Sequence, residues 1–289
     1  MDHEAAPHRD GEHVVVPSTE EAVSASLACA RVLGLPAEDP EVVAEGYSVR
    51  VRLRPAPVVT RVVTLGRRLR PEPLPWLQRE VAVAQFLAEQ GQPVVAPWGA
   101  PGPHLAEGLE VSLWEWVEHV PGVVAAADFG PMLGALHEAL AGCPEDLPVL
   151  VGPLTDIDTA LEVSSHPTLH RAAEELVALA RTWPRQPLHG DVHTGNLLLT
   201  SSGPRWNDFE DVCSGPVEWD LGSLTITDDA VAAYPGPIDR ARLRDCRDLR
   251  RLQVLASLLV LDDSDDDSEA GDVALMTRIV SHLDRRAGR

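Results

Sequence analysis

The side chains best suited to chemistry lie in one stretch of the second half of the chain, LHGDVHTGNLLLTSSGPRWNDFEDVCSGPVEWDLGSL. Within it, Leu197–Thr200 and Arg205–Asn207 have the composition of two short strands around a Ser-Ser-Gly turn. A hairpin with so short a turn brings its outer ends together. The pattern therefore predicts that Asn196, which enters the hairpin, lies beside Asp208, which leaves it.

An amide oxygen and a carboxylate at the mouth of a hairpin suit Mg²⁺, which takes few protein ligands and keeps room for phosphate oxygens. Asp191 shortly precedes Asn196 in the same tight loop. From there its carboxylate could accept a proton from a hydroxyl group, or orient that hydroxyl, where a metal-bound phosphate is attacked. The three residues together predict phosphoryl transfer to an alcohol.

The first half of the chain has the pattern of a sheet with an inserted helix. Ser18 and Glu21 have the spacing of a capping box before a helix that ends at Gly34. Three Val-rich runs, EVVAEG, SVRVRLRP and VVTRVVTLG, predict antiparallel strands. The run PWLQREVAVAQFLAEQG has helical spacing. Two further strands, one around Val94 and one in LEVSLWEWV, complete a predicted sheet of about five strands.

From Ala125 onward the pattern is mainly helical and ends in a long pair of helices over 238–261 and 270–286. We therefore expect an α+β fold of two lobes. The first, over 14–116, is small and β-rich with one inserted helix. The second, over 117–289, is larger and helical and contains the predicted catalytic residues.

Two polar segments lie outside these elements. Residues 1–13 are rich in charge and His with little to bury, so we expect them to be disordered. The acidic run LDDSDDDSEAGD at 261–272 lacks the central Gly and terminal Glu spacing of an EF-hand. It is predicted to be a solvated loop between two helices rather than a metal site.

The composition excludes several classes of function. The 289 residues include 24 basic and 45 acidic side chains, for a formal charge of −21, and every basic residue is arginine. Mechanisms that need a Schiff-base, Walker or usual kinase lysine are therefore excluded. The acidity predicts no nucleic-acid partner and no membrane partner. It favours cationic ligands weakly, although solubility alone accounts for such a charge.

The predicted location is the cytoplasm. Cys29, Cys143, Cys213 and Cys246 lie far apart without a CxxC pair, which is typical of reduced thiols. The N-terminal run MDHEAAPHRDGEH is polar and acidic, unlike a signal peptide. The longest uncharged apolar stretch, Leu252–Leu261, is about half the length that a membrane span requires.

The motif HGDxHxGN, followed by DFE and GPxxWDL, resembles the signature of the aminoglycoside phosphotransferase family, whose members share the bilobal fold of protein kinases. The resemblance covers most of the chain. It implies that Asp191 is the catalytic base and that His189 braces the catalytic loop. By the same resemblance, Asn196 and Asp208 bind Mg²⁺, and Asp220 is a structural brace on the following helix.

The resemblance also implies a nucleotide, ATP or GTP, bound in the first lobe. Kinases hold the α and β phosphates with a lysine on the third strand, paired with a glutamate on the next helix. Arg61 and Glu80 resemble that pair, although Arg is longer and planar and is not equivalent to Lys. Gly46–Ser48 would form the turn over the triphosphate. The backbone of Glu115–Val120, including Val117, would meet the adenine edge.

Two of these assignments stay open on the residues alone. Glu210 in the DFE motif serves either the metal and substrate or the structure only. Arg61 either contacts phosphate or is an outward-facing strand arginine like Arg52. Phosphate contact is favoured because Arg61 alone interrupts an apolar strand.

Two other functions compete with phosphoryl transfer. Asp191 and His193 form a DxH pair, as in metallophosphoesterases, but that class needs further GD and GNH segments, which the sequence lacks. A kinase-like binding module without activity is favoured by the missing lysine. The presence of Asp191, Asn196 and Asp208 together favours an enzyme.

The acceptor is the least determined part of the prediction. Enzymes of this general fold phosphorylate antibiotic alcohols, sugar amines, choline-like amines and homoserine, and the fold does not decide among them. We expect a small hydroxylated molecule, first an aminoglycoside or other antibiotic, because an acidic helical lobe suits a polycation. An uncharged acceptor, such as a macrolide or nucleoside antibiotic, stays open, and the sequence gives no oligomeric partner.

Overall fold

The computed structural model describes residues 14–261 and 269–287. The predicted disorder of residues 1–13 lies outside the described residues, as does most of the acidic run at 261–272. The described part consists of an antiparallel sheet with flanking helices, followed by a mainly helical region. This confirms the predicted α+β organisation.

The elements of the first region form one sheet and the helices beside it. They are α1 (Thr19–Leu33), β1 (Asp39–Ala44), β2 (Ser48–Arg54), β3 (Val58–Val63), α2 (Leu74–Glu89), β4 (His104–Ala106) and β5 (Leu109–Glu115). A 3-10 turn over Leu65–Arg68 follows β3. Helix α1 begins with the predicted capping box, in which Ser18 and Glu21 bond reciprocally, and it ends at Gly34 in the left-handed conformation.

The helices and strands of the second region surround the catalytic motif. They are α3 (Ala126–Leu140), α4 (Val151–Val163), α5 (Pro167–Ala180), β6 (Gln186–Leu188), β7 (Leu197–Thr200), β8 (Gly203–Trp206), β9 (Cys213–Gly215), α6 (Val217–Leu221), α7 (Asp228–Ala233), α8 (Arg240–Leu261) and α9 (Glu269–Ala287). Strands β7 and β8 form the predicted hairpin, and α8 and α9 are the predicted long pair. Helix α4 was not predicted, because Gly152 and Pro153 interrupt its first turn in the sequence.

The alternation of side chains along the sheet decides what faces the site. The strand order is β1-β2-β3-β5-β4, with antiparallel neighbours. Val51 and Val62 are buried in the cluster that packs against α1. Because successive side chains alternate, Arg50 and Arg61 lie on the opposite face of the sheet. These two residues are direct partners in the β2–β3 register.

The predicted strand around Val94 is wrong. The fifth strand is β4, which pairs with β5 across a turn at Glu107 and Gly108, both with positive φ. Pro93 and Pro97 bracket the Val94 segment and remove two backbone donors that a sheet strand needs. The segment instead forms a bridge to Trp206 in the β7–β8 hairpin.

The connection between the two regions is the segment after β5. That strand ends at Glu115 and α3 begins at Ala126, so the predicted boundary between 116 and 117 falls within the connection. The division into lobes at that point stays a prediction. Within 14–261 and 269–287, no helix combines the length and the apolar character needed to cross a membrane.

Candidate active site

The catalytic loop starts at the end of β6 and lies against the segment that follows Asp208. Gly190 has a left-handed φ of 91°. A Cβ atom on this residue would stand 1.8 Å from the backbone oxygen of Asp211. Only glycine permits this approach, so the glycine of the HGD motif sets the distance between the two segments.

The buried carboxylate of Asp220, on α6, fixes the start of this loop. Its Oδ2 accepts the backbone N–H of His189 and its Oδ1 that of Gly190, each at 2.9 Å. Nε2 of His137 is also 2.9 Å from Oδ2. The carboxylate therefore has several donors despite its complete burial, which is the geometry of the predicted brace.

His189 joins the loop to the end of β8, the second strand of the hairpin. Its Nδ1 accepts the backbone N–H of Asp191 at 3.3 Å, and its Nε2 lies 3.1 Å from the backbone oxygen of Asn207. One acceptor and one donor fit a neutral ring. Burial lowers the pKa of His189, against the opposing charge of Asp220, and so favours that neutral form. His189 thus holds the backbone at Asp191, which is the bracing position predicted for it.

Asp191 presents its carboxylate to a cavity. Oδ1 is 3.2 Å from Nη1 of Arg250, and Oδ2 is 3.5 Å from Nε2 of His193. Burial acts to raise the pKa of Asp191, but the hydrogen bond from His193 and the charge of Arg250 outweigh it and lower the pKa. The side chain is 37% exposed, so it can both stay ionised and reach a ligand.

The hairpin brings the predicted metal ligands to the same end. The backbone N–H of Asn207 donates to the backbone oxygen of Asn196 at 3.0 Å and closes the mouth of the hairpin. Nδ2 of Asn196 donates to the backbone oxygen of Asp191 at 2.9 Å. Because the amide nitrogen makes this bond, the amide oxygen is the atom left for a metal. Asp208 follows with a left-handed φ of 64°, which redirects the chain after the strand.

Two arginines hold the Asp208 carboxylate. Nη2 of Arg50 is 2.6 Å from Oδ2, and Nη1 of Arg61 is 3.2 Å from Oδ1. Burial opposes ionisation of Asp208, but the charges of Arg61 and Arg50 lower its pKa. An ionised carboxylate beside an amide oxygen fits Mg²⁺. In the described residues, no group of three or more His, Cys, Asp or Glu is arranged as a metal site.

Arg61 on β3 pairs with Glu80 on α2, as predicted for the residues that replace the usual Lys–Glu pair. Nη1 of Arg61 lies 2.7 Å from each carboxylate oxygen of Glu80, and its Nε donates to Oγ of Ser48 at 3.1 Å. The guanidinium also contacts Glu210. Arg61 is only 4% exposed, so it is not an outward-facing strand arginine. Its charge is surrounded by three carboxylates, which raise its pKa further despite burial.

The predicted phosphate turn, Gly46–Ser48, borders the same cavity as Asp191. Gly46 has a φ of 148°, a conformation that favours glycine. The backbone oxygen of Tyr47 accepts N–H groups from Thr64 and Gly66, at 3.0 and 2.9 Å. These bonds tie the turn to the segment that follows β3.

A second arginine cluster was not predicted. Arg70, just after the 3-10 turn, makes two bonds of 3.0 Å to Asp156 on α4. The same guanidinium is 2.8 Å from Asp211 and 3.3 Å from Glu210. Arg70 therefore links the first region to the helical region across the cavity. Glu210 pairs with Arg61 and Arg70. This geometry favours a structural role for Glu210 over a role at the metal or substrate.

The cavity has a volume of about 990 Å³ and runs between the two regions. Gly46, Arg61 and Asp208 line one end, and Asp191 lies between this end and the helical wall. The helical wall consists of one stripe of α8 and the start of α9. Its residues are Arg250, Gln253, Val254, Ser257, Leu258, Leu261, Asp272, Val273 and Met276. The wall is polar near Asp191 and mainly apolar beyond it.

The predicted adenine-edge segment does not line this cavity. Oε1 of Glu115 accepts the backbone N–H of Ala96 at 3.0 Å and Nη1 of Arg205 at 2.7 Å. Val117 is partly buried against the core. The guanidinium of Arg52 lies 3.9 Å from the ring centre of Trp116. The roles of Glu115 and Val117 therefore stay predictions, and a base placed there would meet the Arg52–Trp116 pair.

Comparison with known proteins decides the family. Residues 39–255 match the family model described as the phosphotransferase enzyme family, APH. The chain belongs to this family. The match confirms the resemblance drawn from the HGDxHxGN motif, and it makes the chain a small-molecule phosphotransferase that acts on hydroxyl groups. No curated protein is significantly similar to this phosphotransferase in sequence.

Solved structures confirm the kinase-like fold of the phosphotransferase. Choline kinase LicA from Streptococcus pneumoniae is 13% identical, with a TM-score of 0.67 over 90% of this chain and 98% of that one. Aminoglycoside phosphotransferase APH(3'')-Id from Streptomyces rimosus is 18% identical, with a TM-score of 0.55 over 80% and 98%. Amicoumacin kinase hAmiN, in complex with AMP-PNP and Ca²⁺, is 12% identical, with a TM-score of 0.60 over 86% and 89%.

Proposed function

We propose that this phosphotransferase moves the γ-phosphoryl group of ATP to a hydroxyl group of a small molecule, with Asp191 as the base. The observation that carries the proposal is that His189 and Asn196 are hydrogen-bonded to the backbone of Asp191. Asn196 lies at the open end of the hairpin, where the second strand ends just before Asp208. Asp191 and Asp208 line a cavity that has Arg50 and Arg61 at one end and the stripe of α8 and α9 along its helical wall.

In this reaction the acceptor hydroxyl lies beside the carboxylate of Asp191 and transfers its proton to that carboxylate. The hydroxyl oxygen bonds to the γ-phosphorus while the bond from this phosphorus to the β–γ bridging oxygen breaks, which leaves ADP. The lowered pKa of Asp191 keeps it ionised before transfer. The backbone bonds to Asp220 and His189 prevent the loop from moving away.

Asn196 and Asp208 are the residues that would hold Mg²⁺. When bound, the ion supplies charge neutralisation at the phosphates. Arg61, fixed by Glu80 and Ser48, provides a cation at the place where kinases use lysine. Its guanidinium is always charged, so the chain keeps a positive charge at this place without any lysine.

We propose an antibiotic alcohol as the acceptor, in keeping with similar structures whose names state aminoglycoside and amicoumacin as substrates. The inner carboxylates of the cavity are already paired. Asp156 and Asp211 contact Arg70, and Asp191 contacts Arg250. A polycation would have to compete with these pairs, whereas the apolar stripe beyond Asp191 suits an acceptor with an apolar body. Within the antibiotic class, this observation favours an uncharged or weakly charged alcohol.

The second candidate acceptor is a small amine alcohol of the choline type. Choline kinases are among the similar structures, but at 13% identity that likeness concerns the fold. The described cavity has Arg250 rather than an unpaired carboxylate closest to Asp191. A cationic head group would therefore meet a like charge, which disfavours choline.

A panel of acceptors tests the proposal. Purified protein is incubated with ATP, Mg²⁺ and one of an aminoglycoside, a macrolide, a nucleoside antibiotic, choline or homoserine. We expect a mass gain of one phosphoryl group on an antibiotic, with an equal amount of ADP. Failure of every acceptor in a broad alcohol panel, with intact nucleotide binding, would contradict the proposed reaction. Resistance of a sensitive host that expresses the chain, and loss of that resistance in Asp191→Ala, would connect the activity to antibiotic inactivation in the cytoplasm.

A further inference from the structure

Arg50 is a cation without an assigned role at the end of the cavity lined by Gly46, Arg61 and Asp208, which we call the phosphate end. It lies on β2 directly opposite Arg61 on β3, on the face of the sheet turned away from α1. Both guanidinium groups reach one carboxylate, that of Asp208, Arg50 at 2.6 Å and Arg61 at 3.2 Å. No sequence motif assigns a role to Arg50, and the register of β2 with β3 is what places it here.

The two arginines differ in how firmly they are held. Arg61 is 4% exposed and is bound to Glu80, Glu210 and Ser48 as well as Asp208. The side chain of Arg50 is 33% exposed, and in the part of the chain that the structure describes its ion pair is with Asp208. Arg50 can therefore leave its partner at small cost, whereas Arg61 cannot.

We propose that Arg50 is a second phosphate-binding residue, which exchanges the Asp208 carboxylate for a phosphate oxygen of the nucleotide. The inference rests on the proposed function, since it needs a nucleotide in this cavity. A guanidinium fork binds carboxylate and phosphate oxygens by the same paired N–H geometry. Before the nucleotide arrives, Arg50 pairs with Asp208. Afterwards it neutralises phosphate charge beside Arg61, so that two arginines perform the work of one lysine.

Arg54 offers a matched control on the same strand and the same face. It lies four residues along β2, its ion pairs are with Asp39 and Glu41, and it does not border the cavity. Substituting it removes an arginine from the sheet without removing one from the phosphate end. Lysine at position 50 provides the conservative variant, because it keeps the charge and loses the fork.

The test is the dissociation constant of Mg·AMP-PNP, measured by calorimetry without an acceptor. We expect Arg50→Gln to weaken binding about tenfold or more, Arg50→Lys to weaken it about threefold, and Arg54→Gln to leave it unchanged. The loss in Arg50→Gln should be smaller for AMP, which carries one phosphate. Thermal unfolding of the free proteins checks the fold. If Arg50→Gln unfolds early, Arg50→Met replaces it, because Met keeps the apolar stem.

Binding of Mg·AMP-PNP to Arg50→Gln within twofold of wild type would overturn the inference. So would an equal loss in Arg54→Gln, or an equal loss for AMP and AMP-PNP, because either would indicate a structural effect. These outcomes differ from failure of the proposed function. A wild-type protein that binds Mg·AMP-PNP but phosphorylates no acceptor would contradict that function and leave the role of Arg50 intact.

Discussion

The catalytic loop and the phosphate end of the cavity hold charged groups in different ways. In the loop, Asp220 is completely buried and its partners include two backbone N–H groups and His137. The ring of His189 bonds to a backbone group on each side. Such bonds are directional and belong to the fold itself, so the position of Asp191 is set before any ligand binds.

At the phosphate end, side-chain ion pairs do the same work. Asp208 is held by Arg50 and Arg61, and Glu210 by Arg61 and Arg70. The partly exposed ion pair of Arg50 can exchange one anion for another without changing the backbone, whereas the buried Arg61 stays with its carboxylates. The comparison indicates that backbone bonds fix the proposed base, whereas the ion pair of Arg50, the proposed phosphate-binding residue, is exchangeable. Substitutions in the loop should therefore lower kcat, and substitutions among the arginines should raise the KM for ATP.

The largest expected effect is the loss of kcat when Asp191 in the catalytic loop is substituted. Asp191→Ala removes the proposed base but none of the arginines at the phosphate end. We expect kcat to fall about a thousandfold or more, with the dissociation constant of Mg·AMP-PNP within about threefold of wild type. Steady-state kinetics and calorimetry on one preparation measure both values. Transfer that persists in this variant would show that Asp191 is not the base.

Asp220→Asn tests whether the bonds from Asp220 to the catalytic loop stabilise the folded protein. The amide keeps one oxygen acceptor but turns its NH2 group toward the other backbone N–H, so the loop loses one of the two bonds that anchor it. We expect the free energy of unfolding to fall by about 3 kcal/mol, measured by urea denaturation, and kcat to fall with it. Glu218, also buried on α6, gives a comparison, since Glu218→Gln should affect stability without the same loss of kcat. Wild-type stability in Asp220→Asn would contradict the brace.

Asp211 makes the charged cluster sensitive to pH. Burial raises the pKa of Asp211 to about 7, although the charge of Arg70 opposes the shift. Because this pKa is above the ordinary value, the folded state binds the proton more tightly, and the associated stability is lost as pH rises through about 7. Relative to Asp211→Asn, wild type should lose about 2 kcal/mol of unfolding free energy between pH 5 and pH 8. If the unfolding free energies of wild type and Asp211→Asn changed equally with pH, the raised pKa of Asp211 would be contradicted.

The smallest expected effect is that of restoring the usual kinase residue. Arg61→Lys keeps the charge, but a single ammonium cannot make the contacts of Arg61 with Ser48 and Glu210 together with those to Glu80. We expect the KM for ATP to rise about tenfold, with kcat changed less. Steady-state kinetics at saturating acceptor measures the KM for ATP and kcat separately. An unchanged KM would show that the cluster adapts to lysine and that its geometry is not specific.

The catalytic loop could be predicted from the sequence because its geometry is local. The hairpin spacing alone put Asn196 and Asp208 at the same end, and the HGD motif added Asp191. The brace at Asp220 was implied by the family resemblance, since nothing in local spacing connects it with the loop.

The charged cluster could not be predicted in the same way, because its members come from separate elements. Arg50 depends on the register of two strands, and Arg70 on a turn that meets α4. Arg250 lies on α8 and reaches Asp191 only through tertiary packing. Periodicity shows which face of an element is apolar, but it does not show which charged residue faces which partner. The Val94 strand failed for a related reason, because its backbone makes single bridges to the hairpin and to β5 rather than a continuous strand pairing.

A crystal structure of the protein with Mg²⁺ and AMP-PNP tests the central claim most directly. We predict a metal ion about 2.1 Å from oxygens of Asn196 and Asp208, with the Asp191 carboxylate facing the γ-phosphate across the acceptor space. We also predict that Arg61 contacts the phosphates. A nucleotide bound elsewhere, or a metal ion that contacts neither Asn196 nor Asp208, would contradict this account.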